Sequence, residues 1–204
     1  KTAIIGTSEF EYFIEKNQLQ EKILSGEYTY KELRECFVAG RFSQGLRNKL
    51  RIFLQQITKP IAIRSSSIFE DSMAQPFAGV FDTYIIPNNN AGRPERLKDL
   101  ETAIKLVYAS IYNDQVQGYY KAINHKVEDE KMAVVLQELV GSEFEGYYYP
   151  HVSGVAQSYN YYPIAHMKPE EGFAVLALGL GAYIVDGNLS YRFSPRYPKT
   201  DMFT

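Results

Sequence analysis

The segment Ile61–Ser72, IAIRSSSIFEDS, carries the residue types best suited to a phosphorylated ligand. Ile61-Ala62-Ile63 reads as a short apolar strand that delivers Arg64 to its end, followed by Ser65, Ser66 and Ser67. Such an ending sets a guanidinium fork, hydroxyls and backbone amides at one rim, where they can hold phosphate oxygens. The acidic pair Glu70-Asp71 could then orient Arg64 or face a metal. On residue types alone, the commoner role of a strand-end arginine is a surface or structural ion pair.

A second constellation is AVVLQELV, Ala133 to Val140, an apolar strand that turns polar at Gln137-Glu138 and then resumes with Leu139 and Val140. Backbone groups just beyond such a strand can read the edge of an adenine ring while aliphatic neighbours cover its faces. The same residues also describe a buried strand with a solvated exit, which is the more frequent case. Gly179-Leu180-Gly181-Ala182 fits neither GxGxxG nor a Walker lysine motif, so its glycines point first to a tight turn or close packing. His125, His151 and His166 are scattered, Cys36 has no partner motif, and no GxSxG is present. Metal capture by His or Cys and a hydrolase triad therefore have no support. The clusters Tyr147-Tyr148-Tyr149 and Tyr159, Tyr161, Tyr162 could stack on a sugar or base, but such tyrosines more often cover a sheet face or an interface.

These segments need elements to hold them. Ser8 with Glu11, and Thr29 with Glu32, have capping-box spacing and predict two short helices. Leu46, Leu50, Phe53, Leu54 and Ile57 recur at helical spacing until Lys59-Pro60 stops the run. Val80 to Ile86 reads as a strand, and residues 87–94 as a turn-rich break. The longest helix follows, with Leu97, Leu100, Ile104, Val107, Tyr108 and Ile111 on a face that should lie on a sheet, and Lys98, Asp99, Glu101 and Lys105 largely opposite. Asn113 to Asn124 predicts a further helix. Strands are expected at Met132–Val140, Gly146–Tyr149, Gly154–Tyr159, Phe173–Leu178 and Leu189–Phe193. The expectation is an α+β protein, with a helix-rich lobe at 1–130 carrying the Arg-Ser-Ser strand and a β-rich lobe at 131–204.

Composition narrows the classes. The 204 residues are 45% hydrophobic, enough for a core. With 22 Lys+Arg against 24 Asp+Glu, the chain lacks the basic excess of a nucleic-acid binder. One cysteine excludes an internal disulfide and is compatible with a reducing compartment, so a cytoplasmic location is expected. No apolar run is long enough for a membrane span, the best candidate, Phe173 to Val185, being interrupted by Gly179 and Gly181. A start at Lys1 and an end at Thr204 without a closing element suggest a piece of a longer chain.

Taken in order, IAIRSSSIFEDS, PFAGVFDTY at Pro76–Tyr84, RLKDLETAIKLVYASIYND at Arg96–Asp114 and AVVLQELV resemble the nucleotide-binding domain of the pyruvate phosphate dikinase and phosphoenolpyruvate synthase family. The matching positions are Arg64 to Ser66, Glu70-Asp71, Phe77 to Gly79, Thr83-Tyr84, Ala109-Ser110, Gln137 and Val140. Looser likeness runs through Ser153-Gly154-Val155 and Gly179-Leu180-Gly181 to Gly187, and through IIGTSEFEYFIEKNQL near the start. The resemblance implies an ATP-grasp-like domain, incomplete at both ends, with ATP held between two lobes. It places Arg64 and Ser65 on the ATP phosphates, Gln137, Glu138, Leu139 and Val140 beside adenine, and Mg²⁺ bridging phosphate oxygens. It further implies phosphoryl transfer to a histidine on a separate carrier domain of the parent chain, then to an acceptor domain for pyruvate, water or a glucan, the segment alone being inactive.

The family's glycine-lysine segment would lie upstream of Lys1, and its acidic metal-binding strand beyond Thr204. After Ser153-Gly154-Val155 the family usually reads Phe-Thr with an acid or amide, whereas here residues 157–162 are QSYNYY, leaving Ser158 and Asn160 as chemical matches. Ala182 stands where a glutamate is usual. These departures motivate an alternative, a catalytically decayed binding or scaffold module of the same fold.

Overall fold

A computed structural model of the chain describes residues 1–67, 81–123, 126–127, 130–164, 166–181, 184 and 190–199. Alternating burial along two apolar strands organises the first part. Strand β2 (Ile61–Ser67) and strand β4 (Met132–Glu138) pair antiparallel, with Ile63 opposite Leu136 and Arg64 opposite Val135. Strand β1 (Thr2–Ile5) flanks β4, and strand β3 (Tyr84–Ile86) flanks β2, giving a four-stranded antiparallel sheet in the order β1-β4-β2-β3. Successive residues of a strand face opposite sides. Ile61, Ile63, Met132, Val134 and Leu136 are thus buried together on one side.

Helix α5 (Arg93–Ala109) packs on that side, touching β2, β3 and β4. Its Leu97, Leu100, Ile104, Val107 and Tyr108 are all buried, as the spacing predicts. Helices α1 (Thr7–Lys16), α2 (Leu19–Ser25), α3 (Tyr30–Ala39), α4 (Gln44–Gln56) and α6 (Asp114–Ala122) complete this layer. The core is strongly aromatic: Phe13 lies 5.9 Å from Phe37, 5.0 Å from Phe42 and 5.8 Å from Tyr108, ring centre to ring centre. Each such side chain taken from water contributes roughly 1.5–3 kcal/mol.

Three helix starts carry side-chain caps, and the cap expected at Ser8 does not form. Thr29 caps α3 with the reciprocal Glu32 bonds of a capping box, and these bonds hold the Glu32 carboxyl below its ordinary pKa. Ser43 and Asn113 cap α4 and α6 by accepting from the Leu46 and Val116 amides. Ser8 does not cap. Helix α1 starts at Thr7, two residues earlier, behind Gly6, which leaves Ser8 inside the first turn. Lys105 is a second departure: α3 packs on the side of α5 that the pattern assigned to water, burying the lysine, whose Nζ donates to the Val38 carbonyl at 3.0 Å. Desolvation lowers its pKa below 10.5, opposed by the nearby Glu101 carboxylate.

The chain divides into compact units at Lys1–Leu139 and Val140–Thr204. The first ends at Leu139, beyond the expected boundary near 130, because β4 is paired on both edges inside its sheet. The second unit holds a hairpin of β5 (Ser142–Phe144) and β6 (Tyr147–Tyr149), and an antiparallel sheet of β7 (Val152–Gln157), β8 (Phe173–Leu178) and β9 (Tyr191–Phe193) in that order. Helices with a sheet in the first unit and antiparallel strands in the second make the described protein α+β.

Gly40 permits a close approach that the core needs. A Cβ there would lie 2.7 Å from the Phe13 ring, which Phe37, Phe42 and Tyr108 hold in place. Gly40→Ala is predicted to lower stability by about 1–3 kcal/mol, read as a lower denaturation midpoint at unchanged m value; an unchanged midpoint contradicts it. Lys105 sets a pH dependence. Because its folded pKa lies below 10.5, the unfolded chain binds more protons between the two values, and stability rises with pH through that window. Wild type should therefore gain stability relative to Lys105→Met as pH climbs towards 10.5, whereas parallel profiles would refute the assignment.

Candidate functional site

Arg64 sits in the middle of β2, not at its end, since the strand continues through Ser67. That position decides which way it points. Ile61 and Ile63 face the helices, so alternation sends Ala62, Arg64 and Ser66 to the other face of the sheet. Residues directly opposite in an antiparallel pair share a face. Gln137 stands opposite Ala62, Val135 opposite Arg64 and Ala133 opposite Ser66. From β1, Thr2 meets Gln137 and Ile4 meets Val135; from β3, Ile85 meets Ala62.

The result is one face with Arg64 and Gln137 on adjacent strands, two positions apart, over a floor of Ala62, Val135, Ile4 and Ile85. Ile4 is 71% and Ile85 58% exposed. Arg64 is exposed and, among the described residues, forms no hydrogen bond or ion pair. The commoner role of a strand arginine, pairing with a carboxylate, is thus not the one found here. No described residue on this face is acidic.

Other expected residues are placed differently. Ser65 lies on the helix-packed face with Ile63 and Ser67, so Ser66 is the serine beside Arg64. Glu138 also belongs to the helix side by alternation; its carboxylate lies 4.0 Å from Lys59 Nζ and 3.4 Å from the Lys1 amine. Its backbone N–H donates to the Lys1 carbonyl, and that of Leu139 to the Pro60 carbonyl. Val140 is 84% exposed, and its backbone N–H and C=O have no partner among the described residues. Within Gln137–Val140, then, the Gln137 side chain and the Val140 backbone are open. Ser66, Ala62 and Val135 were readable only by treating IAIRSSS as one strand of period two.

Glu70-Asp71, Phe77 to Gly79, Ala182, Gly187 and His125 lie outside the described residues. No group of three or more His, Cys, Asp and Glu side chains among the described residues could hold a metal ion. The donors described around Arg64 therefore do not fit Mg²⁺.

In the second unit the glycines and the altered segment serve the local fold. A Cβ on Gly154 would lie 2.6 Å from the Val175 carbonyl oxygen of the paired strand. Gly179 turns the chain after β8, its N–H donating to the His151 carbonyl and its carbonyl accepting from Ser153 Oγ at 2.7 Å. Asn160 is buried, and its Oδ1 accepts from the Tyr162 amide at 3.1 Å and the Arg192 guanidinium at 3.2 Å. Arg192 in turn lies 4.1 Å above the Phe173 ring. Asn160 thus braces its own unit, while Tyr147, Tyr161 and Tyr162 are exposed. No helix among the described residues is long and apolar enough to cross a membrane.

Three curated relatives share this sequence pattern. An uncharacterised phosphotransferase of Bacillus subtilis, YvkC, is 31% identical over 92% of the chain and 20% of its own length. Phosphoenolpyruvate synthases of Aeropyrum pernix and Deinococcus radiodurans are 28% and 27% identical, over 86% and 87% of the chain and 21% and 23% of theirs. The chain spans about a fifth of the length of these relatives. A family profile described as "Pyruvate phosphate dikinase, AMP/ATP-binding domain" matches residues 1–199. With nearly the whole chain matched, the protein belongs to the pyruvate phosphate dikinase AMP/ATP-binding domain family.

Proposed function

We propose that this chain is the Mg·ATP-binding part of a phosphotransferase of the dikinase or phosphoenolpyruvate synthase type, its two units being the lobes of an ATP-grasp-like domain. The observation that supports the reading is an exposed guanidinium that has no partner among the described residues, on a sheet face where no described residue is acidic. Such a group is poised for an anion, because nothing must be broken before it binds. Arg64 would fork onto phosphate oxygens, with Ser66 beside it on the strand. Gln137 and the apolar floor suit a nucleoside, and the open Val140 backbone can meet the adenine edge. Mg²⁺ arriving with the nucleotide would neutralise phosphate charge, and no described residue is assigned to hold it.

Phosphoryl transfer depends mainly on positioning and charge stabilisation, which an arginine can provide without covalent chemistry. The phosphoryl group would pass to a histidine of a separate carrier domain, and the acceptor would be chosen elsewhere in the parent protein.

One observation favours the alternative, a decayed binding or scaffold module: Asn160, a chemical match to the family's polar segment, is consumed inside its own unit. Titration of the full-length protein with Mg·ATP separates the two. Saturable binding weakened about 10–100-fold by Arg64→Ala, the loss of a charge-assisted hydrogen bond or two, supports the phosphotransferase; absence of binding supports the scaffold. The thermal midpoint should barely move, since the side chain is exposed and unpartnered. In the same protein, Arg64→Ala should abolish ATP-dependent autophosphorylation, and wild-type levels would refute the role of Arg64.

A further inference from the structure

A second concentration of positive charge lies on the helical side of the first sheet, across the sheet from Arg64. Four of the nine arginines in the chain, Arg47, Arg51, Arg93 and Arg96, line a cavity of about 450 Å³ between α4 and the first turn of α5. Such a volume matches a small-molecule site. Its floor includes the apolar side chains of Leu54 and Leu97.

The four arginines are not equivalent. Arg96 is braced: its guanidinium donates to the Leu54 and Ile57 carbonyls and to Asn88 Oδ1, tying the end of α4 to the start of α5. Arg47 spends its Nε on Glu101 at 2.7 Å, leaving its terminal nitrogens without a bond among the described residues. Arg51 makes one hydrogen bond, to Asn48 Oδ1 at 2.7 Å, and Arg93 makes none among the described residues. Glu101 is the one carboxylate bonded to any of the four among the described residues. The Glu95 carboxylate folds back against Gly92 at the helix start and does not line the cavity.

Four cations against one bonded carboxylate would repel one another across a small cavity, and bound anionic charge relieves that repulsion. Forked guanidiniums match phosphate oxygens, and the leucine floor suits a carbon skeleton. We propose that this cavity binds a small organic phosphate, at a site separate from the nucleotide face. The ligand would lay its apolar body on Leu54 and Leu97 and its phosphate between Arg51 and Arg93, with Arg47 adding charge.

Calorimetric titration of the full-length protein with phenyl phosphate tests this, with phenol as the uncharged control. Expected is a saturable event that phenol does not produce, weakened at least tenfold in the Arg51→Gln/Arg93→Gln double variant and unchanged in Arg64→Gln. The proposal is overturned by the absence of a saturable event up to about 10 mM, by equal binding of phenol, by unchanged affinity in the double variant, or by loss of the event in Arg64→Gln, which would assign it to the nucleotide face. Should the double variant melt early, Arg93→Gln alone serves, because that side chain has no bond to lose.

Discussion

One strand running inside a sheet whose two faces differ fixes where the candidate site's side chains stand. Ile61 and Ile63 must point into the aromatic core under α5, and the pleat leaves Arg64 no choice but the opposite side. The arginine is therefore positioned by the burial of its neighbours, without any bond of its own among the described residues. Register then selects its companions. Because β2 and β4 pair with Arg64 opposite Val135, Gln137 arrives on the same face, whereas a one-residue slip would turn it towards the helices. Core packing and the face that carries Arg64 and Gln137 are thus two sides of one sheet.

Legibility of the fold followed the strength of local signals. The helix ended by Lys59-Pro60, the capping box at Thr29, the apolar face of α5 and the strand Phe173–Leu178 all stand where the pattern puts them. Where signals competed, tertiary contacts decided. Ser8 has the spacing of a cap, but the chain turns at Gly6 and the helix begins before it. Lys105 sits on the polar stripe of its helix, yet α3 packs there and buries it. Ser67, expected beyond a strand ending at Arg64, is a buried strand residue instead, since pairing with Met132 extends β2 past its apolar start.

The site was readable in part. Arg64 and Gln137 were visible as residue types, and their common face follows from a register no local pattern specifies. Ser65 and Glu138 share those segments but fall on the helix-packed side, a distinction that appears only once the strand's length is known. In the second unit, Asn160 shows how a residue with ligand-like chemistry can be recruited to the interior: its amide oxygen accepts from the nearby Tyr162 backbone N–H and from the Arg192 guanidinium, 32 residues away. The chain belongs to the dikinase nucleotide-binding family, and the function proposed above sets Arg64, exposed and unpartnered among the described residues, beside a polyphosphate.

The most direct test is chemical. Phenylglyoxal adds to accessible, unpaired guanidiniums, and mass spectrometry of the digested full-length protein reads each arginine separately. The account predicts that Arg64 is modified in the free protein and protected by saturating Mg·ATP, while Arg93, on the other side of the sheet, reacts equally in both states. Equal modification of Arg64 with and without nucleotide would contradict it.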